Sequence, residues 1–277
     1  MRKSLFLISL ALSSAACSQS ADEAPASEES ALSPAASATA VTKSDAGVEA
    51  KAFEFEDDAS RNGGTREFAY SWPAAAAREP KLAAQLDAER VRELEAQKAD
   101  WEKSLVDFPD GCVSCIGRGF DKEWKVVADL PQWLSLSADL YLYTGGAHGM
   151  SGKTSLVWDR RGEVGVKGVE LFKSPVALET ALGVRLCDAL NVAREKRRGM
   201  KIDPTSGDMF DDCPGIDESA VLVGSSNGET FDRIGIYFGP YVAGSYAEGA
   251  YELNFPVTAS IIDAVKPQYA NAFSVKR

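Results

Sequence analysis

The chain has 277 residues, 45% of them hydrophobic, with 30 Lys plus Arg against 41 Asp plus Glu, five Cys and one His. That apolar fraction excludes a disordered or collagen-like reading of the whole chain. The net charge of -11 gives no footprint for phosphate backbones, so no nucleic acid is expected as a partner, and a basic protein or a cation suits it better.

Arg2 and Lys3 precede an apolar run from Leu5 to Leu12 and the small residues Ser13 to Ala16. This is the layout of an export signal, and the run is too short to span a bilayer as a helix, so residues 1–16 are predicted to be a signal peptide that is removed. Small residues ending at Cys17 resemble a bacterial lipobox, with Ser14 where that motif usually has Leu. Lipidation of Cys17 would explain the odd cysteine and tie the protein to a membrane through a lipid anchor. Ordinary cleavage after Ala16, leaving Cys17 free or disulfide-bonded, is the alternative. Ser18 after the Cys favours the periplasmic face of the outer membrane in a two-membrane cell. Residues 18–60 hold ten acidic and two basic residues among Ala, Ser, Thr and Pro. That composition buries too little surface to offset its ordering entropy, and with Cys17 it is predicted to form a disordered acidic tether over 17–60.

From residue 61 onward the pattern is α+β. Phe68, Tyr70 and Trp72 alternate, predicting a strand over 67–72 that stops at Pro73. Leu82, Leu86, Leu94, Trp101 and Leu105 recur at helical spacing, predicting one helix from about 74 to 105. Strands follow at 123–130 and 133–144, the second carrying Leu134 to Leu142 on one face and Trp133, Asp139, Tyr141 and Tyr143 on the other, with another strand at 154–159. A second helix, capped by Ser174 and opened by Pro175, is predicted over 175–198. Its closing cluster Arg194, Lys196, Arg197 and Arg198 sits where a helix dipole favours cations. Strands at 219–224, 232–238 and 250–255 and a helix over 258–266 complete the order.

Four cysteines remain in this part. Three pairings are open; Cys112 with Cys115 and Cys187 with Cys213 is favoured, because near thiols pair fastest and the second bond would fasten an acidic loop to the helix. A redox role for the Cys-x-x-Cys lacks a thioredoxin pattern, and a zinc site lacks two further ligands. No metal and no cofactor are expected.

The only histidine is His148, in YTGGAHGMSGKT (Tyr143 to Thr154). There is no G-x-S-x-G elbow to supply a nucleophile, and the P-loop spacing fails because Ala147 stands where its first glycine belongs. The glycines are expected to turn the chain between two strands while His148 makes buried hydrogen bonds. The acidic run Asp203, Asp208, Asp211, Asp212, Asp217 and Glu218 lacks EF-hand order. Carboxylate pairs for a hydrolase meet in space, so sequence assigns none, and no catalytic residue is named. In IYFGPYVAGSYAEGAYELNFPV, Ile234, Ile236 and Phe238 face a core while Tyr237 points away, and Pro240, Tyr241, Gly244 and Tyr246 form a stiff, tyrosine-bearing connection suited to recognition, or to bracing in the case of Tyr246 and Tyr251.

FAYSWP, LSLSADLYLYTGGAHG, the Leu171–Phe172 pair and FGPYVAGSYAEGAYELNFPV together resemble the RsiV/PdaC-type pair of exported domains, a 4163-type domain followed by a 3298-type domain. The resemblance spans about residues 65–266. It implies two small α+β subdomains, 61–165 and 166–277, mostly antiparallel sheet packed with two long helices. In sensing relatives it implies lysozyme binding, which would carry over to Pro240 and Tyr241 with His148 in support; Tyr237 and Tyr143 are further binding candidates. No anti-sigma segment or attached deacetylase domain accompanies it here. The expected function is a non-catalytic envelope binding domain for a lysozyme-like muramidase or peptidoglycan; a wall-modifying hydrolase or a structural envelope protein are the alternatives.

Overall fold

A computed structural model describes residues 50–276, except Pro204. The signal peptide, Cys17 and most of the expected tether lie outside the described residues. Two short strands, β1 (Phe53–Glu56) and β2 (Ala59–Arg61), come first and pair with β3 (Gly64–Trp72). The fold therefore starts before residue 60, inside the segment expected to be tether. Phe53 stacks on Trp72 with ring centroids 3.8 Å apart, and the Asp57 carboxylate accepts hydrogen bonds from Lys98 and Arg66, which hold it below its usual pKa. Two aromatic residues suffice to order this acidic segment because the edge of β3 is available to pair with it.

The helix expected over 74–105 is two: α1 (Ala74–Ala77) and α2 (Pro80–Asp107). Proline keeps the residue before it out of the helical region, and Glu79 is extended at φ -106°, ψ 93°. At about 1.5 Å per residue α2 is long enough to carry the chain back along the sheet. It supplies the crossover that the parallel pairing of β3 with β4 (Arg118–Asp129) requires, past the short turn α3 (Val113–Ile116). Then β5 (Trp133–Tyr143), β6 (Met150–Asp159) and β7 (Val164–Val166) add antiparallel strands, giving the order β1-β3-β4-β5-β6-β7. A second break divides the 175–198 helix into α4 (Pro175–Leu182) and α5 (Val184–Arg198), because Gly183 takes φ +58°, a conformation that side-chain-bearing residues rarely adopt. β8 (Ser219–Gly224), β9 (Arg233–Phe238) and β10 (Tyr251–Pro256) form a separate antiparallel sheet, followed by α6 (Ala259–Ala264).

Two apolar clusters hold these layers. One packs Phe68, Tyr70, Phe120, Trp124, Leu134 and Leu136 under Leu82, Leu86 and Leu94 of α2. The other joins the small sheet to α4 and α5 and draws in Leu130, Trp133 and Val157 of the large sheet's region. The first half of β5 is consequently buried on both sides, Trp133 in one cluster and its neighbour Leu134 in the other, whereas Tyr141 and Leu142 emerge into solvent. The described residues fall within one compact unit. No helix among the described residues is long and apolar enough to cross a membrane. A chain beginning at residue 61 should lose about 2–4 kcal/mol against the full chain in urea unfolding, with Phe53→Ala reproducing about half of it; equal midpoints would show that β1 adds nothing.

Candidate functional site

The candidate site lies where the polar side of the large sheet meets the connection from β9 to β10. Strand alternation puts Asp121 and Glu123 of β4 on that side, opposite Tyr141 and Asp139 of β5, which in turn face Ser151 and Lys153 of β6. The side chains of Phe120, Trp124, Leu134 and Leu136 take the other, α2-covered side. Tyr237 of β9 and Glu252 of β10 close the group from the small sheet, around a cleft of about 360 Å³.

Charge in this cleft is only partly compensated. Lys125 bonds Glu123 at 2.7 Å and Asp139 at 3.0 Å, while Lys153 pairs with Asp139 and lies 3.5 Å from Glu252, linking the two sheets. Burial tends to raise the Asp139 pKa, but the two lysines hold it below its usual value. Asp121 behaves in the opposite way: burial, then the nearby charges of Glu123 and Asp139, push it up, and Lys125 offsets only part of this. A second hollow shares Asp121 and Tyr141 and extends the acidic surface through Glu67, Asp58 and Glu56.

Beside the cleft stands an aromatic stack. His148 lies 3.8 Å from Tyr246 with the rings 22° from parallel, and Tyr246 lies 5.7 Å from Tyr241. The Tyr246 hydroxyl donates to the Gly149 carbonyl at 2.9 Å, joining the β5–β6 turn to the β9–β10 connection. Gly149 is required, since a Cβ there would sit 2.4 Å from the Tyr141 ring. His148 is exposed, and its Nδ1 is 2.9 Å from the Gly149 carbonyl oxygen, so the expectation of buried hydrogen bonds is corrected. Gly145 and Gly146, at φ +95° and +94°, take the backbone conformation that favours glycine in the turn between β5 and β6, where His148 sits.

Tyr241 is 48% exposed and has φ +68°, unusual for a residue with a large side chain. Its amide donates to the Gly244 carbonyl at 3.0 Å. Pro240 beside it is half-buried. Tyr237 is buried against Lys153, whose ammonium is 5.5 Å from the ring centroid; it belongs to the cleft and is not part of the stack. Tyr143 is half-buried and donates to the Gly146 carbonyl at 2.9 Å, bracing the turn. Tyr246, the centre of the stack, is through this bond also the brace expected from sequence, while its spacing alone gives no sign that a histidine nearly a hundred residues away lies against it.

The connection is held by the basic end of α5, whose cations do more than complement the helix dipole. Arg194 is fully buried and donates to the carbonyls of Ala243 (2.8 Å), Asp212 (2.8 Å) and Asp211 (3.3 Å) and to the Asn191 side chain. Arg198 pairs with Asp211 at 2.6 Å and Glu248 at 2.9 Å, and Arg197 donates to the Glu248 carbonyl. The acidic loop is thus committed to α5, and the Cys187–Cys213 disulfide fastens it again, with Cα atoms 5.6 Å apart. Cys112 and Cys115 form the other disulfide, at 5.3 Å. Among the described residues no three His, Cys, Asp or Glu gather as metal ligands.

Residues 60–151, from β2 to the start of β6, match the family described as Deacetylase PdaC. Among proteins of curated function none matches the chain. Solved structures similar to it include the following two. One is a DUF3298 family protein from Pseudomonas aeruginosa PAO1, 17% identical with a TM-score of 0.46, covering 82% of this chain and 97% of that one. The other is a member of the same family from Bacteroides fragilis NCTC 9343, 16% identical with a TM-score of 0.42, covering 80% and 95%.

Burial tends to raise the Glu248 carboxyl, but hydrogen bonds from Tyr251, Arg198 and Ser245 outweigh it and bring its pKa to about 2. A lowered folded-state pKa contributes stability that is fully present above the unfolded value near 4.5 and is lost as pH falls through about 2. The connection should therefore loosen between those values, seen as faster amide exchange at residues 241–249. Glu248→Gln should flatten that dependence.

Proposed function

We propose that this chain is a non-catalytic binding domain of the bacterial envelope, exported and anchored through lipidated Cys17 at the periplasmic face of the outer membrane. Its partner is a basic protein, with a lysozyme-like muramidase as the sharpest candidate and peptidoglycan fragments as the other ligand class. The observation that carries the reading is the His148–Tyr246–Tyr241 stack, exposed at His148 and Tyr241, beside an acidic face. Tyrosines on stiff backbone add contact area at little entropic cost, and the uncompensated carboxylates favour a cationic surface. The match to a deacetylase-described family raises hydrolysis as a question. Amide hydrolysis needs a group that activates water; His148 is read as a contact residue because one ring face lies against Tyr246 and no carboxylate bonds its ring among the described residues.

The test is a calorimetric titration of the full chain with lysozyme at two salt concentrations. Saturable binding is expected, weaker at high salt, with Tyr241→Ala reducing affinity by about tenfold or more. Absence of binding, or binding that salt abolishes and Tyr241→Ala leaves unchanged, would overturn the reading.

A further inference from the structure

The two disulfides do different work. Cys187–Cys213 joins positions 26 apart in sequence, so it removes much chain entropy from the unfolded state, and the loop it fastens is held again by Arg194 and Arg198. Cys112–Cys115 joins positions three apart, too close to restrain the unfolded chain by much, and its contribution lies in the shape of the turn it closes. That turn is α3, a single turn of helix, which does not persist in water without outside support. Its backbone seats the β5–β6 turn. The Ser114 carbonyl accepts from the Gly146 amide at 2.6 Å, and a Cβ at Gly145 would lie 3.0 Å from that same oxygen and 3.3 Å from the Cys115 carbonyl. His148 follows two residues after Gly146 and stacks on Tyr246. The disulfide and the histidine side of the stack are thereby linked through one carbonyl. Solvent reaches this junction: Cys112 and Cys115 are half-buried, Val113 between them is 59% exposed, and Cys115 lines an open hollow of about 430 Å³ together with Phe108, Gly145 and Gly146.

We infer that Cys112–Cys115 is a redox latch on the recognition surface: closed, it keeps the β5–β6 turn seated and His148 against Tyr246; opened by a protein dithiol, it releases the seat and loosens the stack. The consequence for recognition rests on the binding reading above, whereas the latch itself does not. The step is thiol–disulfide exchange. A thiolate of the reductant attacks the Cys115 sulfur, the sulfur–sulfur bond breaks, and Cys112 leaves with the electron pair and takes up a proton. The reductant's second thiolate then attacks the reductant sulfur of the mixed disulfide, and Cys115 leaves as a thiolate and is protonated in turn. Two electrons and two protons have passed to the chain, and the reductant has become a disulfide. Two thiols that non-covalent contacts keep side by side re-form their bond readily, as Arg194 and Arg198 ensure for Cys187 and Cys213. Between Cys112 and Cys115 runs only the one backbone bond from the Cys115 amide to the Cys112 carbonyl, at 2.9 Å, so this disulfide opens first.

The test exposes the full chain to graded dithiothreitol as the dithiol probe, traps free thiols by alkylation and reads each cysteine by peptide mass, with Cys17 read separately. Cys112 and Cys115 are expected to be alkylated together at about tenfold lower dithiothreitol than Cys187 and Cys213. At that concentration the Gly146 amide should exchange about tenfold faster while the amides of α5 keep their rates, and the His148 ring protons, shifted by the Tyr246 ring, should move toward free histidine. Cys112→Ser combined with Cys115→Ser should reproduce both changes without reductant, and the same pair of changes at Cys187 and Cys213 should not. Earlier opening of Cys187–Cys213, or a Gly146 amide and His148 ring that ignore reduction, would overturn the latch. Lysozyme titrated against the oxidised and the selectively reduced chain separates the two readings. Affinity about threefold or more weaker after reduction supports both. Equal affinity in the two forms retains the binding domain and removes the latch. Loosening at Gly146 and His148 in a chain that binds no lysozyme retains the latch and removes that partner.

Discussion

A single buried guanidinium organises the half of the molecule that carries the candidate site. Burying a charge costs several kcal/mol unless its donors are taken up, and Arg194 has its donors taken up by the carbonyls of Ala243, Asp211 and Asp212 and by Asn191. Those carbonyls belong to two segments without regular structure, the β9–β10 connection and the acidic loop, which would otherwise bury unsatisfied oxygens. Cys187 and Arg194 are seven residues apart on α5 and so share a face, with buried Leu190 between them. Disulfide, leucine and guanidinium thus form one seam along which the loop is laid down. Arg198 extends the seam to Glu248 and Asp211, and Gly199 ends the helix at φ +71°.

The same geometry accounts for the strain at Tyr241. A positive φ on a tyrosine costs on the order of 1 kcal/mol and persists only where neighbouring contacts over-determine it. Arg194 holds Ala243 two residues on, the Tyr241 amide is bonded to Gly244, and the ring lies against Tyr246. The stack is presented on backbone that has already lost its freedom, so binding would not have to order it.

Much of the scaffold was legible in the sequence because strands with one wet side alternate visibly: Phe68, Tyr70 and Trp72 on β3 are all buried, as expected. Less legible were features set by single residues against the prevailing pattern. Pro80 and Gly183 each break a helix whose apolar spacing continues across the break. Phe53 and Phe55 gain their strand from the edge of β3, a long-range pairing that local composition does not report. Of the site, the tyrosine-bearing connection and the GGAHG turn could be seen as separate motifs, but their meeting through Tyr246 could not. Nor could the role of Arg194 be read, because a cation at a helix end already has a sufficient local explanation in the dipole.

Carboxylates and aromatics on one surface would do different work in an association. The acidic strip from Glu56 to Glu252 would act over a Debye length of about 8 Å at physiological salt, so it would bias the approach of a basic partner in a way sensitive to ionic strength. The His148–Tyr246–Tyr241 stack would act only at contact, where excluding water from three rings would slow dissociation. Asp121 stands between the two, a strip carboxylate beside Tyr141 and close to the stack. Burial and its acidic neighbours penalise its charged form while the cleft is open. A cationic surface approaching this side of the sheet would relieve that penalty, so the electrostatics that steer a basic partner would also favour contact beside the rings.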